Sequence, residues 1–282
     1  MPLHRTVVAA ALATGIGCAS NASYGAPRTA HPAADTPYNW TGFYAGVSGG
    51  YGWNKGSNSL TGTDPFGIYA IFTGLPPSTV LPGTLDSGSK GVLGGVSAGY
   101  NYQIGQSLIG VEADFSKANI RGLSSFVSPD FGLANPIVTT QQDKKLEWLS
   151  TLRGRVGYLP TPALLVFATG GLAFGKGIAS TVTTAAPSSS GGSTNCIAGD
   201  PLASFLCSAG SSEKTMTGWT LGAGIEAMIA HDWSLKAEYL YYNLGTIYYT
   251  SNLTTFFIGA PAIQTTARFN GNIGRVGVNY HF

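Results

Sequence analysis

The sequence predicts an all-β chain folded as one eight-stranded antiparallel up-and-down barrel that crosses a membrane. Three observations predict it. Segments that alternate polar and apolar residues recur from Trp40 onward. Short turns and long connections rich in Ser, Thr, Gly and Pro alternate between them. The last segment runs to the C-terminus with Val276, Val278, Tyr280 and Phe282 on one face and Arg275, Gly277, Asn279 and His281 on the other. Such a strand needs both edges paired, or it remains an open template for aggregation. Closing a membrane barrel meets that need.

Composition supports the same class. Only 10 % of the 282 residues are charged, against about 25 % in ordinary soluble domains. Glycine accounts for 40 residues, roughly double the usual share of about 7 %. Outside the N-terminus the longest uncharged apolar stretch is Ala163–Gly175, short of the roughly 18–20 residues a spanning helix needs. A formal net charge of +2, with no run of Lys or Arg, argues against nucleic acid as a partner.

Three regions follow in order. Residues 1–22 have the form of a signal peptide: Arg5, an apolar core over Thr6–Ser20, and the small-x-small site Ser20-Asn21-Ala22. Residues 23–39 are a Pro/Ala-rich linker without periodicity. Residues 40–282 are the barrel domain. Setting Cys18 aside with the signal, Cys196 and Cys207 remain inside one Ser/Gly-rich loop. In an exported chain this predicts a disulfide, worth on the order of 3 kcal/mol in the chain-entropy view. A metal pair would need further His or Cys nearby, so no metal and no cofactor are expected.

The alternating segments are Thr41–Trp53, Lys90–Tyr102, Ser107–Lys117, Lys145–Tyr158, Ala163–Lys176, Thr217–Ile229, Trp233–Gly245 and Ala267–Phe282. The short connections are 103–106, 159–162 and 230–232; the long ones are Asn54–Ser89, Ala118–Lys144, Gly177–Met216 and Thr246–Thr266. Turns on one side and long loops on the other are the topology of an outer-membrane barrel, with the loops outside. A soluble sandwich has no reason to sort its connections this way.

Charge fixes the faces. An Arg at the bilayer midplane on the lipid side costs about 2–4 kcal/mol. Arg153 and Arg155 must therefore face the lumen, with Leu146, Trp148, Leu152, Val156 and Tyr158 facing lipid. The same argument turns Glu112, Asp114, Glu226, Lys236, Glu238 and Arg275 inward. Four carboxylates meet four cations. An eight-stranded barrel is just wide enough for side chains to fill it, so these groups are expected to pair into a polar plug. A charged constriction that filters solutes is the other reading. Gly42, Gly46, Gly50 and Gly52 share the inward phase of the first strand with Tyr44 and Ser48, leaving room for larger groups. Trp53, Trp148, Tyr158, Trp233 and Tyr280 fall near strand ends, where aromatic girdles form.

The stretch Tyr38–Trp53 resembles the first strand of the small porin-like surface antigens of alphaproteobacterial outer membranes, relatives of the opacity proteins. Leu152–Tyr158, Leu165–Gly175 and Lys236–Tyr242 are similar, as is the C-terminal strand. The terminal aromatics, Tyr280 and Phe282, resemble the signal that hands such proteins to the barrel-assembly machinery. The resemblance implies an eight-stranded barrel of the cell outer membrane, often labelled a porin family; that label is not evidence of a pore. The Cys-containing insert lies outside the matched pattern.

Several strings mimic catalytic signatures. Gly46-Val47-Ser48-Gly49-Gly50 and Gly95-Val96-Ser97-Ala98-Gly99 match a nucleophile elbow, but that motif needs a strand-to-helix turn. The run Gly170–Lys176 resembles a phosphate loop, yet Gly177 stands where Ser or Thr should be and no helix follows. His231-Asp232 lies in a turn, and only His281 lies in a strand. The expected role is therefore non-enzymatic: structural and antigenic, with a largely plugged lumen. Outer-membrane lipid, lipopolysaccharide and host or envelope partners are the expected contacts. The alternatives are a narrow diffusion channel, or a loop-mediated adhesin using Tyr248, Tyr249, Phe256 and Phe257 of the fourth loop.

Overall fold

The computed structural model describes residues 38–63, 83–128, 137–186, 207–253 and 262–282. The predicted signal and nearly all of the linker lie outside them. The described strands are β1 (Gly42–Asn54), β2 (Ser57–Thr63), β3 (Thr84–Asp86), β4 (Ser89–Ile104), β5 (Ser107–Val127), β6 (Ile137–Thr161), β7 (Leu164–Ala186), β8 (Ser208–Met228), β9 (Trp233–Leu253) and β10 (Ala262–His281). Eight of them form a ring in the order β1-β4-β5-β6-β7-β8-β9-β10, closed by antiparallel pairing of β1 with β10. Closure leaves no exposed edge within the ring. The β4–β5 turn is as tight as a hairpin allows: Ile104 pairs with Ser107, and Gly105 takes φ 61° between them.

The strands outrun the sequence expectation at the loop end. β5, β6, β7, β8 and β9 continue through much of what reads as loop. Along β5 the alternation never breaks. Its outward face changes from Val111, Ala113 and Phe115 to Lys117, Asn119 and Arg121, while Ala118 and Ile120 stay buried. The strand leaves the bilayer and goes on in water. The first loop also contains β2 and β3. β2 pairs with β10 above the end of β1 (Leu60 with Thr265), and β3 pairs with β2, so the wall is extended rather than interrupted.

Two bulges shift the strand phase, and one of them corrects a face assignment. In β6, Lys117–Ile120 of β5 pairs across Leu146–Trp148 with a register shift, which reverses the phase above Glu147. Leu146, expected on the lipid side, is therefore buried inside. In β9 the shift lies opposite Arg268–Asn270, where Gly245 adopts φ 88°. The inward residues change there from Tyr242 and Leu244 to Ile247 and Tyr249. A single inserted residue exchanges the faces of everything beyond it. Tyr248 and Tyr249 belong to β9 and not to the fourth loop, with Tyr248 exposed and Tyr249 buried; Phe256 and Phe257 lie outside the described residues.

The outer wall carries the apolar band expected of a membrane barrel. Val47, Val96, Val111, Leu152, Val156, Leu221, Ile225 and Val276 are all exposed. The interior is layered. Trp40, Leu108, Leu159, Leu165 and Phe167 cluster at the short-turn end. A larger apolar cluster, including Leu93, Ile120, Leu146, Leu240, Phe269 and Ile273, fills the loop end. The inward charges lie between the two.

Candidate functional site

All eight charges singled out from the sequence project into the barrel and are buried. Six form one cluster with three of each sign. Arg153 (β6) contacts Glu112, Asp114 (2.9 Å) and Glu238. Arg275 (β10) reaches Asp114 at 3.1 Å and Glu238 at 2.7 Å. Lys236 (β9) donates to Glu112 at 2.7 Å. Thr151 adds a 2.6 Å bond to Asp114. This cluster thus joins β5 and β6 to β9 and β10 across the lumen.

The remaining two charges, Arg155 and Glu226, form a separate pair one layer nearer the short turns. Ser234 and Asn279 donate to Glu226 at 2.5 and 2.6 Å. The Arg155 guanidinium lies 3.9 Å from the centre of the Phe167 ring, a favourable cation–π geometry in a dry site. Tyr44 joins the two groups. Its hydroxyl donates to Glu112 at 2.7 Å and accepts from Arg155 at 3.4 Å. Its ring lies over Gly99 of β4, where a Cβ would approach the ring to 2.5 Å. Only glycine leaves that space.

Below the pair the chain crosses the barrel floor. The backbone N–H of Trp40 donates to the Gln103 side chain at 3.1 Å, and its indole N–H to the Pro162 carbonyl at 2.9 Å. The ring is fully buried and meets His281 edge-on at 5.4 Å.

Residues 9–282 match the family model described as the outer membrane protein beta-barrel domain. The chain belongs to the outer-membrane β-barrel family. It is 33 % identical over 246 residues to the 31 kDa outer-membrane immunogenic protein of Brucella melitensis, covering 87 % of this chain and 85 % of that one. It is 28 % identical over 203 residues to the 22 kDa outer membrane protein of Rhizobium leguminosarum, covering 72 % and 64 % respectively. Among solved structures, the outer membrane protein OprG of Pseudomonas aeruginosa aligns over 88 % of this chain and 99 % of its own, with 12 % identity and a TM-score of 0.49. The chain is an outer-membrane protein.

Trp40 and Tyr44 had no role legible in the sequence. Their phase was legible, but the cross-lumen partners that define their roles come from strands far apart in the chain. Ser234 was likewise unassigned, and His281, read from the sequence only as the one histidine in a strand, touches it through Ser234 Oγ and His281 Nε2 at 3.0 Å. Glu226 approaches that same nitrogen at 3.4 Å. A catalytic triad needs the nucleophile hydroxyl on one ring nitrogen and the carboxylate on the other, so this trio lacks that geometry. His231 and Asp232 form an exposed pair at 2.6 Å. Tyr280 packs between Trp233 and Phe282 on the outer wall, each ring 5.1 Å away. The Phe282 backbone N–H donates to Phe43, fastening the chain end to β1. Cys207 is buried immediately before β8; Cys196 lies outside the described residues.

Outside the bilayer, Lys144 is buried on the inner face and donates to the Arg268 carbonyl at 2.9 Å. Desolvation lowers its pKa from 10.5 to about 8.

Proposed function

We propose that this protein is a structural and surface-presenting barrel whose lumen is closed by its own side chains, and that it is not an enzyme. The observation that carries this reading is the charge-balanced cluster of Glu112, Asp114, Glu238, Arg153, Lys236 and Arg275, held between two apolar layers. A filter for ions needs uncompensated charge facing water, whereas here each ion has a buried counter-ion. Breaking such a pair costs about 3–5 kcal/mol, which ties the four strands that carry the cluster to one another. The Brucella relative is named an immunogenic outer-membrane protein, which supports a role in antigenic display. The reading includes export by the signal over residues 1–22, a Cys196–Cys207 disulfide in the third loop, and handover to the assembly machinery through Tyr280 and Phe282.

Recording from the refolded protein in planar bilayers tests it. The expected trace has no stable ohmic steps, and Arg153→Met lowers thermal stability without creating any. Large stable pores in the unaltered protein would refute closure and favour the diffusion channel.

A further inference from the structure

The outer wall carries a second arrangement of charge that the closed lumen does not use. At the level where β4, β5 and β6 leave the apolar band, Lys90 stands directly opposite Arg121, and Arg121 directly opposite Lys145. Lys117 lies on the same outward face of β5, two positions before Asn119. Like charges directly opposed on neighbouring strands destabilise a sheet, so this row calls for an anion. The neighbouring charges do not supply one. Glu147 is engaged by Lys145 at 2.7 Å and by Lys176 at 3.3 Å, and Glu213 by Lys176. Among the described residues Lys90, Lys117 and Arg121 have no carboxylate within ion-pair distance, Asp86 and Asp143 included. A groove of about 560 Å³ lies at the β5–β6 bulge, lined by Lys117, Arg121, Lys145, the lysine-paired Glu147, Phe115 and Trp148, with Lys90 beside it opposite Arg121. Immediately towards the bilayer the wall is apolar, with Val92, Val96, Val111 and Phe115 exposed.

We propose that this groove binds a phosphorylated, acylated lipid of the outer leaflet, the lipid A moiety of lipopolysaccharide. Its phosphates would lie on Lys90, Lys117 and Arg121, and its acyl chains on the valine and phenylalanine wall. Neighbouring strands about 4.8 Å apart spread the cations over roughly 10 Å, wide enough for more than one phosphate. Guanidinium suits phosphate by its bidentate geometry, and clustered basic residues at a membrane surface select anionic headgroups. An acyl-bearing occupant, and not free phosphate, follows from the continuity of the cations with the apolar wall.

Native mass spectrometry of the full refolded barrel in detergent tests the site, with bis-phosphorylated lipid A, its dephosphorylated form and inorganic phosphate as probes. The unaltered protein should retain lipid A, and retain the dephosphorylated form at least tenfold more weakly. K90Q/K117Q/R121Q should weaken lipid A at least tenfold, and R121Q alone at least threefold. K55Q/K214Q/R268Q removes the same charge from exposed positions outside the groove and should leave binding within twofold. The compact band on an unheated gel verifies folding of each variant. Equal weakening by the two triple variants would reduce the effect to net charge. Equal retention of dephosphorylated lipid A would reduce it to acyl contacts. Inorganic phosphate binding as well as lipid A would remove the lipid from the proposal. The site is on the outer wall, so its failure leaves lumen closure untouched, and a conducting lumen leaves the site untouched.

Discussion

Arg153 meets three carboxylates and Arg155 meets one, so counting contacts makes Arg153→Met the more damaging change. The partners left behind predict the reverse. Without Arg153, Glu112 keeps Lys236 at 2.7 Å, while Asp114 and Glu238 keep Arg275 at 3.1 and 2.7 Å. No carboxylate is orphaned. Without Arg155, Glu226 keeps hydrogen bonds from Ser234 and Asn279, the His281 ring nitrogen at 3.4 Å, and the field of Lys236, its cross-strand neighbour, which is not in ion-pair contact with it. It becomes a buried anion with no permanent cation in contact. Removing one partner of a buried pair costs about 3–5 kcal/mol, and these environments place Arg153→Met near the lower value and Arg155→Met near the upper. Adding Glu226→Gln to Arg155→Met removes the orphaned charge and should recover at least ~1 kcal/mol, within the coupling range of contacting residues. Urea unfolding in detergent micelles, followed by tryptophan fluorescence and by loss of the compact band on unheated gels, measures all three. The reasoning fails if Arg153→Met is the less stable single variant, or if the double variant is no better than Arg155→Met.

Trp40→Ala should lower stability by about 3 kcal/mol or more, as expected for a buried large-to-small change; an unchanged urea midpoint would show that the floor contributes nothing. Gly99→Ala places a methyl group 2.5 Å from the Tyr44 ring, and overpacking of this kind costs about 1–3 kcal/mol; a neutral result in the same titration would mean that the Tyr44 ring has another resting place. Lys144 has a folded pKa depressed from 10.5 to about 8, so the unfolded chain binds more protons between those values and stability rises with pH across that window. Lys144→Met should flatten that rise between pH 8 and 10, and parallel slopes in the two proteins would contradict it.

The barrel was legible because a bilayer enforces alternation on every strand that crosses it, and because an arginine on the lipid side is too costly to place. That single constraint located all eight lumen charges. It lapses where the strands leave the membrane. Asn119 and Arg121 read as the start of a loop, although the β5 ladder continues to Val127. The bulges defeated the pattern for a different reason. A period of two carries no memory of an inserted residue, so Leu146 was assigned to the wrong face. Tyr44 and Trp40 could be given a phase but no partner, since their contacts reach Glu112, Pro162 and His281. Such contacts depend on closure of the ring, which no local segment encodes.

The position of Trp40 bears on the order of events during folding. Its indole touches the turn after β6 and the last inward residue of β10, while its own backbone leads into β1. It can become buried only once the first and last strands have met. The other four of the five tryptophans, Trp53, Trp148, Trp219 and Trp233, lie outside this floor cluster, and Trp53, Trp219 and Trp233 are exposed on the outer wall. A chain retaining only Trp40 would therefore time the joining of its two ends, and one retaining only the wall tryptophans would time entry into lipid. The lag between the two signals is the lifetime of the inserted but still open sheet.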